Sequence, residues 1–342
     1  MAVVRQRRVN LTLELPLPDS ASAPGDCRLR FPLPPPSAVA AATSTSTSEH
    51  RLSDFEKLQV LGHGNGGTVY KVRHRRTAAV YALKVLQTDT DASLRRQVSR
   101  EVEILRHTDS PFVVRFHGVI LGPSGDVAVL LEQMDAGSLD SLLRHRGNRP
   151  FPEPALAEIA CQALHGLAYL HSHQIVHRDL KPSNLLVNRS GEVKIADFGV
   201  GKILRRSLDP CVSYVGTCAY MSPERFDPES YGGDYDPYAA DVWSLGLAVL
   251  ELYLGHFPLL PAGQRPDWAA LMCAICFGEP PAPPPEGEAS EDFRGFIGCC
   301  LQKESGERWS VAELLGHPFV AGRDRSESAR ALRDLIAETA ES

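Results

Sequence analysis

The stretch His177-Arg178-Asp179-Leu180-Lys181-Pro182-Ser183-Asn184 decides how this chain of 342 residues is interpreted. It fits the pattern H-R-D-L-x-x-x-N, and Asp197-Phe198-Gly199 follows it. A carboxylate such as that of Asp179 can accept or orient the proton of a hydroxyl group. The side-chain oxygens of Asn184 and Asp197 are the hard ligands that Mg²⁺ requires. These residues at this spacing predict phosphoryl transfer from a magnesium-bound nucleotide.

A glycine-rich segment upstream fits the pattern G-x-G-x-x-G-x-V between two strand-like runs. Glycines at these positions let a hairpin backbone close over phosphates, where a Cβ atom would collide. A dinucleotide-binding loop would need a helix directly after the third glycine, whereas Thr68–Lys71 has the pattern of a strand. The predicted nucleotide contacts in this segment are Leu61, Gly62, His63, Gly64, Asn65, Gly66, Gly67 and Val69.

A lysine lies inside the apolar strand-like sequence Tyr81-Ala82-Leu83-Lys84. A buried ammonium group is costly unless a carboxylate pairs with it. The helical run from Ser93 to Arg106 offers two candidates, Glu101 and Glu103, which would point in different directions around the helix axis. Spacing alone leaves both open.

Together these motifs resemble the eukaryotic protein kinase family over about residues 55–320. The resemblance implies an α+β fold of two lobes, a small β-rich N-lobe at 55–134 and a larger helical C-lobe at 135–320, with ATP between them. It also selects Glu101 as the partner of Lys84. The implied catalytic residues are Lys84, Asp179, Lys181, Asn184 and Asp197, of which Asn184 and Asp197 hold Mg²⁺.

The same resemblance assigns residues around the nucleotide and below the catalytic loop. Ala82 and Glu101 belong to the ATP site, Leu131 guards its back pocket, and Glu132 and Met134 contact adenine through the backbone. Two structural contacts are implied as well. Glu224, in a Ser-Pro-Glu that replaces the usual A-P-E, pairs with Arg308, and Asp241 caps the backbone of the catalytic loop.

Hydrophobic periodicity agrees with two lobes. Short strand-like runs at 58–61, 69–72, 80–86, 113–120 and 127–132 precede a helical pattern through Leu156, Ile159 and Leu167. A second strong helix is predicted over Ala239–Leu254. The tail, residues 321–342, contains a predicted amphipathic helix at 326–339.

The segment between Gly199 and Arg225 narrows the class. Lys181 is typical of transfer to serine or threonine, and Ser207 and Ser213 form S-x5-S. This spacing resembles the plant mitogen-activated protein kinase kinases, whose two phosphorylated residues are separated by five others. The resemblance implies phosphorylation of both serines by an upstream kinase kinase kinase. It also implies dual-specificity transfer to threonine and tyrosine of a mitogen-activated protein kinase, in stress, defence or developmental signalling.

Residues 1–50 are rich in Pro, Ala, Ser and Thr and lack a helix or strand period, which is typical of disorder. Within them a basic cluster precedes alternating leucines at about residues 5–13, in a pattern that can dock on an acidic patch with apolar pockets. An organellar transit peptide is the alternative for this segment. The predicted docking residues are Arg5, Arg7, Arg8, Leu11 and Leu13.

Composition limits partners and compartment. A net charge of −6 argues against binding nucleic acid or a membrane surface, which both need a basic excess. The eight cysteines show no disulfide framework, so we expect buried, reduced core thiols and a reducing compartment, the cytoplasm and nucleus. The protein is expected to be a monomer.

Two rival functions remain to be weighed. A different Ser/Thr kinase of the sterile-like group would share the catalytic motifs, but the S-x5-S spacing and the N-terminal docking pattern argue against it. A pseudokinase scaffold would be expected to lack Lys84, Asp179 or Asp197, and all three are present.

Overall fold

The computed structural model describes residues 50–64, 67–86, 102, 105–106, 108–121, 127–197, 218–227, 229, 236–261, 264, 267–283 and 289–340. The predicted N-terminal docking segment and the S-x5-S pair therefore lie outside the described residues. So do Asn65, Gly66 and Glu101 of the predicted nucleotide site.

The N-terminal part is a five-stranded antiparallel sheet in the order β1-β2-β3-β5-β4. A core of Phe55, Val72, Leu83, Ile120 and Leu130 lies on one side of it. The strand bounds are β1 Phe55–Gly64, β2 Gly67–His74, β3 Val80–Leu86, β4 Phe116–Leu121 and β5 Val127–Glu132.

The larger C-terminal part is mainly helical, with one small sheet of β6 Gly137–Ser138, β7 Leu185–Val187 and β8 Val193–Ile195. Its two long central helices are α2 and α4. The helices are α1 Leu139–His145, α2 Glu153–Ser172, α3 Pro223–Phe226, α4 Pro237–Leu254, α5 Trp268–Met272, α6 Glu291–Cys300, α7 Val311–Leu315, α8 Pro318–Ala321 and α9 Arg325–Ala340.

Close packing of α2 against β8 positions the end of that strand. Gly166 of α2 lies where a Cβ atom would come within 2.8 Å of Ile195 and 2.9 Å of the Phe112 carbonyl oxygen. Contacts of this length are too short for a side chain, so glycine lets the helix and strand approach. Asp197 follows β8 by two residues and is held in place by this packing.

The two-lobed α+β fold predicted from the sequence is confirmed, and several strand boundaries differ from the prediction. The strand predicted at 113–120 begins at Phe116, because Val113 and Val114 contact the other lobe. The Val114 amide donates to the Ile195 carbonyl at 2.9 Å, and Val113 forms an isolated parallel bridge with Ile195. The predicted C-terminal helix is present as α9.

The cysteine prediction is correct only in part. The six cysteines in the described regions are all free thiols, and Cys161, Cys218 and Cys300 are buried as expected. Cys273, which lies in the apolar sequence from Leu271 to Phe277, is exposed, and this contradicts the expectation of buried thiols. Within the described residues, no helix has both the length and the apolar character needed to cross a membrane.

Candidate active site

The catalytic loop brings three predicted residues together between α2 and β7. The Lys181 ammonium lies 3.3 Å from an Asp179 carboxylate oxygen, and the Asn184 amide donates to the Asp179 backbone carbonyl at 2.7 Å. A second contact of the same amide reaches the Asp179 carboxylate at 3.4 Å. These contacts fix the Asp179 carboxylate and hold a positive charge beside it.

Asp241, on α4, forms hydrogen bonds with the backbone of this loop. Its carboxylate accepts hydrogen bonds from the amides of His177 and Arg178, both at 2.8 Å, and contacts the His171 ring at 3.0 Å. The Asp241 side chain is fully buried. Burial raises the pKa of its carboxyl group, but the hydrogen bond from His171 and the neighbouring histidines outweigh this, so the pKa is lowered. Asp241 therefore caps the loop as an ionised carboxylate, and this cap is the contact that the family resemblance implied.

His177 is a structural part of the loop. Its Nε2 donates to the Ala196 carbonyl at 3.1 Å, and its Nδ1 accepts from the Asp179 amide at 3.2 Å. Burial lowers the pKa of the ring. A neutral imidazole with its proton on Nε2 satisfies both contacts. The ring thus links the loop to the end of β8.

Lys84 forms an ion pair with Asp197 across the cleft. Asp197 has a left-handed backbone, with φ of 62°, which turns its carboxylate toward β3. Partial removal from water raises the pKa of Asp197, but the charge and hydrogen bond of Lys84 outweigh this and lower the pKa. Since 42% of the Asp197 side chain is exposed, this pair positions charges more than it stabilises the fold.

The oxygen donors around this pair suit a divalent cation. The Asn184 amide nitrogen is engaged by Asp179, which leaves its carbonyl oxygen as the acceptor toward the cleft. Asp197 is ionised and supplies a carboxylate. An amide oxygen and a carboxylate are typical hard ligands for Mg²⁺, which is bound by few protein groups together with substrate phosphates. Asn184 and Asp197 therefore fit the predicted metal role.

The glycine-rich hairpin joins β1 and β2 above these groups. His63 pairs with Thr68 across the strands, and the two side chains lie 3.2 Å apart between Nδ1 and Oγ1. Gly67 has φ of 139°, and a Cβ atom there would be 1.9 Å from the Val85 carbonyl oxygen. The backbone at Gly67 is thus pressed against β3 beside Lys84, where only glycine fits.

The remaining predicted nucleotide contacts line the neighbouring strands. Val69 pairs with Lys84, and Ala82 pairs with Leu131. The buried Lys194 ammonium lies 2.7 Å from the Glu132 carboxylate at the end of β5. This engages the Glu132 side chain and is consistent with a role for its backbone. Met134 is buried just beyond β5, and Leu61 and Gly62 lie on β1.

A buried ion pair fixes α3, which lies next to the catalytic loop. Both terminal nitrogens of the Arg308 guanidinium donate to Glu224, each at 2.7 Å, and Arg308 also donates to three backbone carbonyls. This is the predicted Glu224–Arg308 contact. The adjacent Arg225 donates to the Arg178 carbonyl at 2.9 Å, which ties α3 to the catalytic loop.

The pair of Tyr220 and Glu251 was not predicted from the sequence. The Tyr220 hydroxyl donates to the Glu251 carboxylate at the end of α4, and the Tyr220 carbonyl accepts from Ser244 at 2.8 Å. Burial raises the pKa of the Tyr220 phenol, and the charges of Glu251, Asp140 and Asp179 add to this shift. The two residues are far apart in sequence and neither belongs to a recognised motif, so no signal pointed to the pair.

Comparisons with known proteins agree with this geometry. A family model described as "Protein kinase domain" matches residues 55–320. The chain is 62% identical over 268 residues to mitogen-activated protein kinase kinase 9 of Arabidopsis thaliana, covering 78% of this chain and 84% of the relative. It is 59% identical over 269 residues to kinase kinase 7 of the same plant, covering 78% and 85%. The SIPKK kinase kinase of Nicotiana tabacum is 41% identical over 277 residues, covering 80% and 75%.

Proposed function

Because the chain belongs to the protein kinase family, among the plant mitogen-activated protein kinase kinases, we propose that it transfers phosphate from Mg²⁺-ATP to both threonine and tyrosine in the activation loop of a mitogen-activated protein kinase. One observation carries the proposal. One cleft brings together five side chains that each have the chemistry that phosphoryl transfer needs. They are Lys84, Asp179, Lys181, Asn184 and Asp197.

Each residue has a distinct part in this proposal. Asp179 orients the substrate hydroxyl and accepts its proton, while Lys181 beside it neutralises the charge of the phosphoryl group in transit. Lys84 positions the nucleotide phosphates. Asn184 and Asp197 would hold Mg²⁺, which would supply positive charge against the negative charge that develops on the phosphates. The preorganised loop contacts around Asp241 keep these groups in position without reorganisation during the reaction.

Regulation and partner choice complete the proposal. An upstream kinase kinase kinase phosphorylates Ser207 and Ser213, and the chain acts as a monomer in a stress, defence or developmental cascade. The N-terminal residues Arg5, Arg7, Arg8, Leu11 and Leu13 hold the partner kinase, and neither nucleic acid nor membrane takes part. The cytoplasm and nucleus are the proposed compartments, in keeping with the net charge and free thiols.

The decisive experiment incubates the chain with ATP and a kinase-dead mitogen-activated protein kinase and then maps the phosphorylated sites. We expect phosphate on one threonine and one tyrosine of the partner's activation loop. Lys84→Met and Asp197→Ala should each lower the rate at least about 100-fold, because transition-state charge stabilisation is lost. Near wild-type rates in either variant, with an unchanged melting temperature, would refute the catalytic assignment.

Two further readouts separate the parts of this proposal. Phosphate on serine or threonine of unrelated proteins but not on the partner kinase would favour the sterile-like alternative.

Alanine at the five N-terminal docking positions should raise KM for the partner kinase and leave KM for a generic peptide unchanged, because the segment lies outside the catalytic residues. An equal loss on both substrates would indicate a structural role for the segment.

A further inference from the structure

We propose that an exposed aromatic surface beside the active site, formed by Trp268, Cys273 and Phe277 and called the aromatic patch, docks the folded body of the substrate kinase. This inference rests on the proposed function, since it names the partner of the same active site. It adds a contact outside the catalytic cleft and outside the N-terminal docking segment.

The first observation is the composition of the element that carries the patch. Residues 268–277 read Trp-Ala-Ala-Leu-Met-Cys-Ala-Ile-Cys-Phe, without a single charged or polar side chain apart from the two thiols. A surface helix ordinarily carries a polar face toward water. A helix with apolar side chains on every face is either buried within its own chain or part of an interface with another protein.

The second observation is that, among the described residues, this element is covered on one side. Leu271 and Ile275 are fully buried in a small core with Ala219 and Leu260. On the other side Phe277 is 73% exposed and Trp268 is 45% exposed, and Cys273 is also exposed. Exposed tryptophan and phenylalanine are enriched in protein interfaces and often contribute much of the binding energy.

The third observation is the backbone that presents Phe277. Residues Cys273–Phe277 form a π-helical turn directly after α5, and the Gly278 amide donates to the Cys273 carbonyl at 2.7 Å. The Lys303 ammonium caps this turn through the Ile275 carbonyl at 2.7 Å. π-Helical turns are rare in proteins, and those that occur often lie at functional sites. The turn therefore holds Phe277 in a defined, outward position.

The position of the patch identifies its occupant. The Trp268 ring stacks on Phe226 of α3, with ring centroids 4.5 Å apart. The neighbouring Arg225 donates to the carbonyl of Arg178, next to the catalytic Asp179. Phe226 and Tyr220 also pack on the core that carries α5. The patch is thus continuous with the surface over which a protein substrate must lie to reach Asp179.

A folded substrate needs such a contact more than a peptide does. A cleft that holds only a few residues of an activation loop buries less area than a stable protein interface, which is about 1,600 Å² in total. Apolar area next to the cleft extends the contact to the folded body of the substrate. The aromatic patch should therefore lower KM for a folded kinase but not for the isolated peptide of its activation loop.

The test compares two substrates for each variant, a kinase-dead mitogen-activated protein kinase and a synthetic peptide of its activation loop. Phe277→Ser should raise KM for the folded kinase about tenfold and leave kcat/KM for the peptide within about twofold. Trp268→Ala should act in the same direction, and Phe277→Leu should restore most of the affinity. Leu52→Ser, which alters an exposed leucine on the N-lobe that is 38% exposed, is the matched control and should have no effect.

Each outcome decides one question. An unchanged KM for the folded kinase in Phe277→Ser, or equal losses on both substrates, would overturn the docking proposal. So would a loss confined to activation by an upstream kinase, or a shift from dimer to monomer in sedimentation, because the patch would then serve another occupant. If the wild-type chain phosphorylates the peptide and the folded kinase not at all, the proposed function fails instead.

Discussion

The hydroxyl of Tyr220 donates its hydrogen bond to Glu251, so a phenol near the C-terminal end of the segment from Asp197 to Glu224 is joined to the last turn of α4. Burial raises the pKa of the Glu251 carboxyl group to about 7; the Tyr220 hydrogen bond opposes this shift, and Asp140 adds to it. Tyr220 also anchors on Ser244 and packs its ring against Phe257. The contact between Tyr220 and α4 therefore contains a carboxyl group whose pKa is near neutral pH.

This arrangement predicts a pH-dependent stability. A carboxyl group whose pKa is higher in the folded than in the unfolded chain binds more protons when folded, so stability falls as pH rises from about 4.5 to about 7. Glu251→Gln keeps a hydrogen-bond acceptor for Tyr220 but cannot ionise. Its melting temperature should match wild type near pH 5 and exceed it near pH 8. Equal melting curves at both pH values would contradict the raised pKa.

The His63–Thr68 contact predicts an effect on nucleotide binding. Because this contact joins the two strands of the glycine-rich hairpin, its loss should loosen the hairpin over the nucleotide. Thr68→Val keeps the β-branched shape and removes the hydroxyl. We expect KM for ATP to rise about threefold with little change in kcat, as for one exposed hydrogen bond.

Thr68→Ser retains the hydroxyl and is the control for this prediction. It should keep the wild-type KM for ATP. A rise in KM that is the same for the serine and valine variants would show that the methyl group, and not the hydrogen bond, matters at this position.

Ser222, where the family has alanine, predicts a stabilising substitution. Its side chain is fully buried, and its hydroxyl has no hydrogen-bond partner among the described residues. A buried hydroxyl without a partner costs about 1–3 kcal/mol. Ser222→Ala should therefore leave kinase activity unchanged and raise the free energy of unfolding by about 1 kcal/mol, measured in urea.

Ser244 offers a matched comparison, since its buried hydroxyl donates to the Tyr220 carbonyl at 2.8 Å. Removing this hydroxyl leaves a buried carbonyl without its donor, so Ser244→Ala should be destabilising. If both alanine variants shift stability in the same direction, the absence of a partner at Ser222 is not what sets its contribution.

Local motifs made much of the active site predictable from sequence. The catalytic loop places Asp179, Lys181 and Asn184 within a few residues, so their proximity follows from the chain itself. The Asp241 cap and the Glu224–Arg308 pair connect distant segments and were predictable only through the family resemblance. Physical spacing alone would not have paired them.

Other contacts had no signal in the sequence. Val113 and Val114 have the apolar pattern of a strand, but they pair with Ile195 in the other lobe, which moved the start of β4 to Phe116. The apolar run that includes Cys273 predicted a buried element, since nothing in it distinguishes the face on the core from the exposed face. Tertiary packing decides these cases, and it depends on partners far along the chain.

The last prediction concerns the switch at Ser207 and Ser213, which lie outside the described residues. Each phosphate adds about −1.5 to −2 charges; basic residues lie close in sequence at Lys202, Arg205 and Arg206, and Arg178 lies in the catalytic loop. Pairing between them should order the segment from Asp197 to Glu224 and keep it clear of the cleft. Phosphorylation should therefore raise kcat.

Aspartate at both serines should reproduce this activation in part, because a carboxylate has less charge and cannot copy the geometry of phosphate. We expect kcat of the double aspartate variant to exceed that of the unphosphorylated wild type about tenfold, the effect of about 1.4 kcal/mol from one charge-assisted contact. The double alanine variant should keep the basal rate and resist activation by an upstream kinase. All three forms are compared on one kinase-dead partner, with melting temperatures as the control for folding. The switch is wrong if the aspartate pair is no faster than wild type while an upstream kinase activates the alanine pair normally, since the activating phosphate would then lie on other residues.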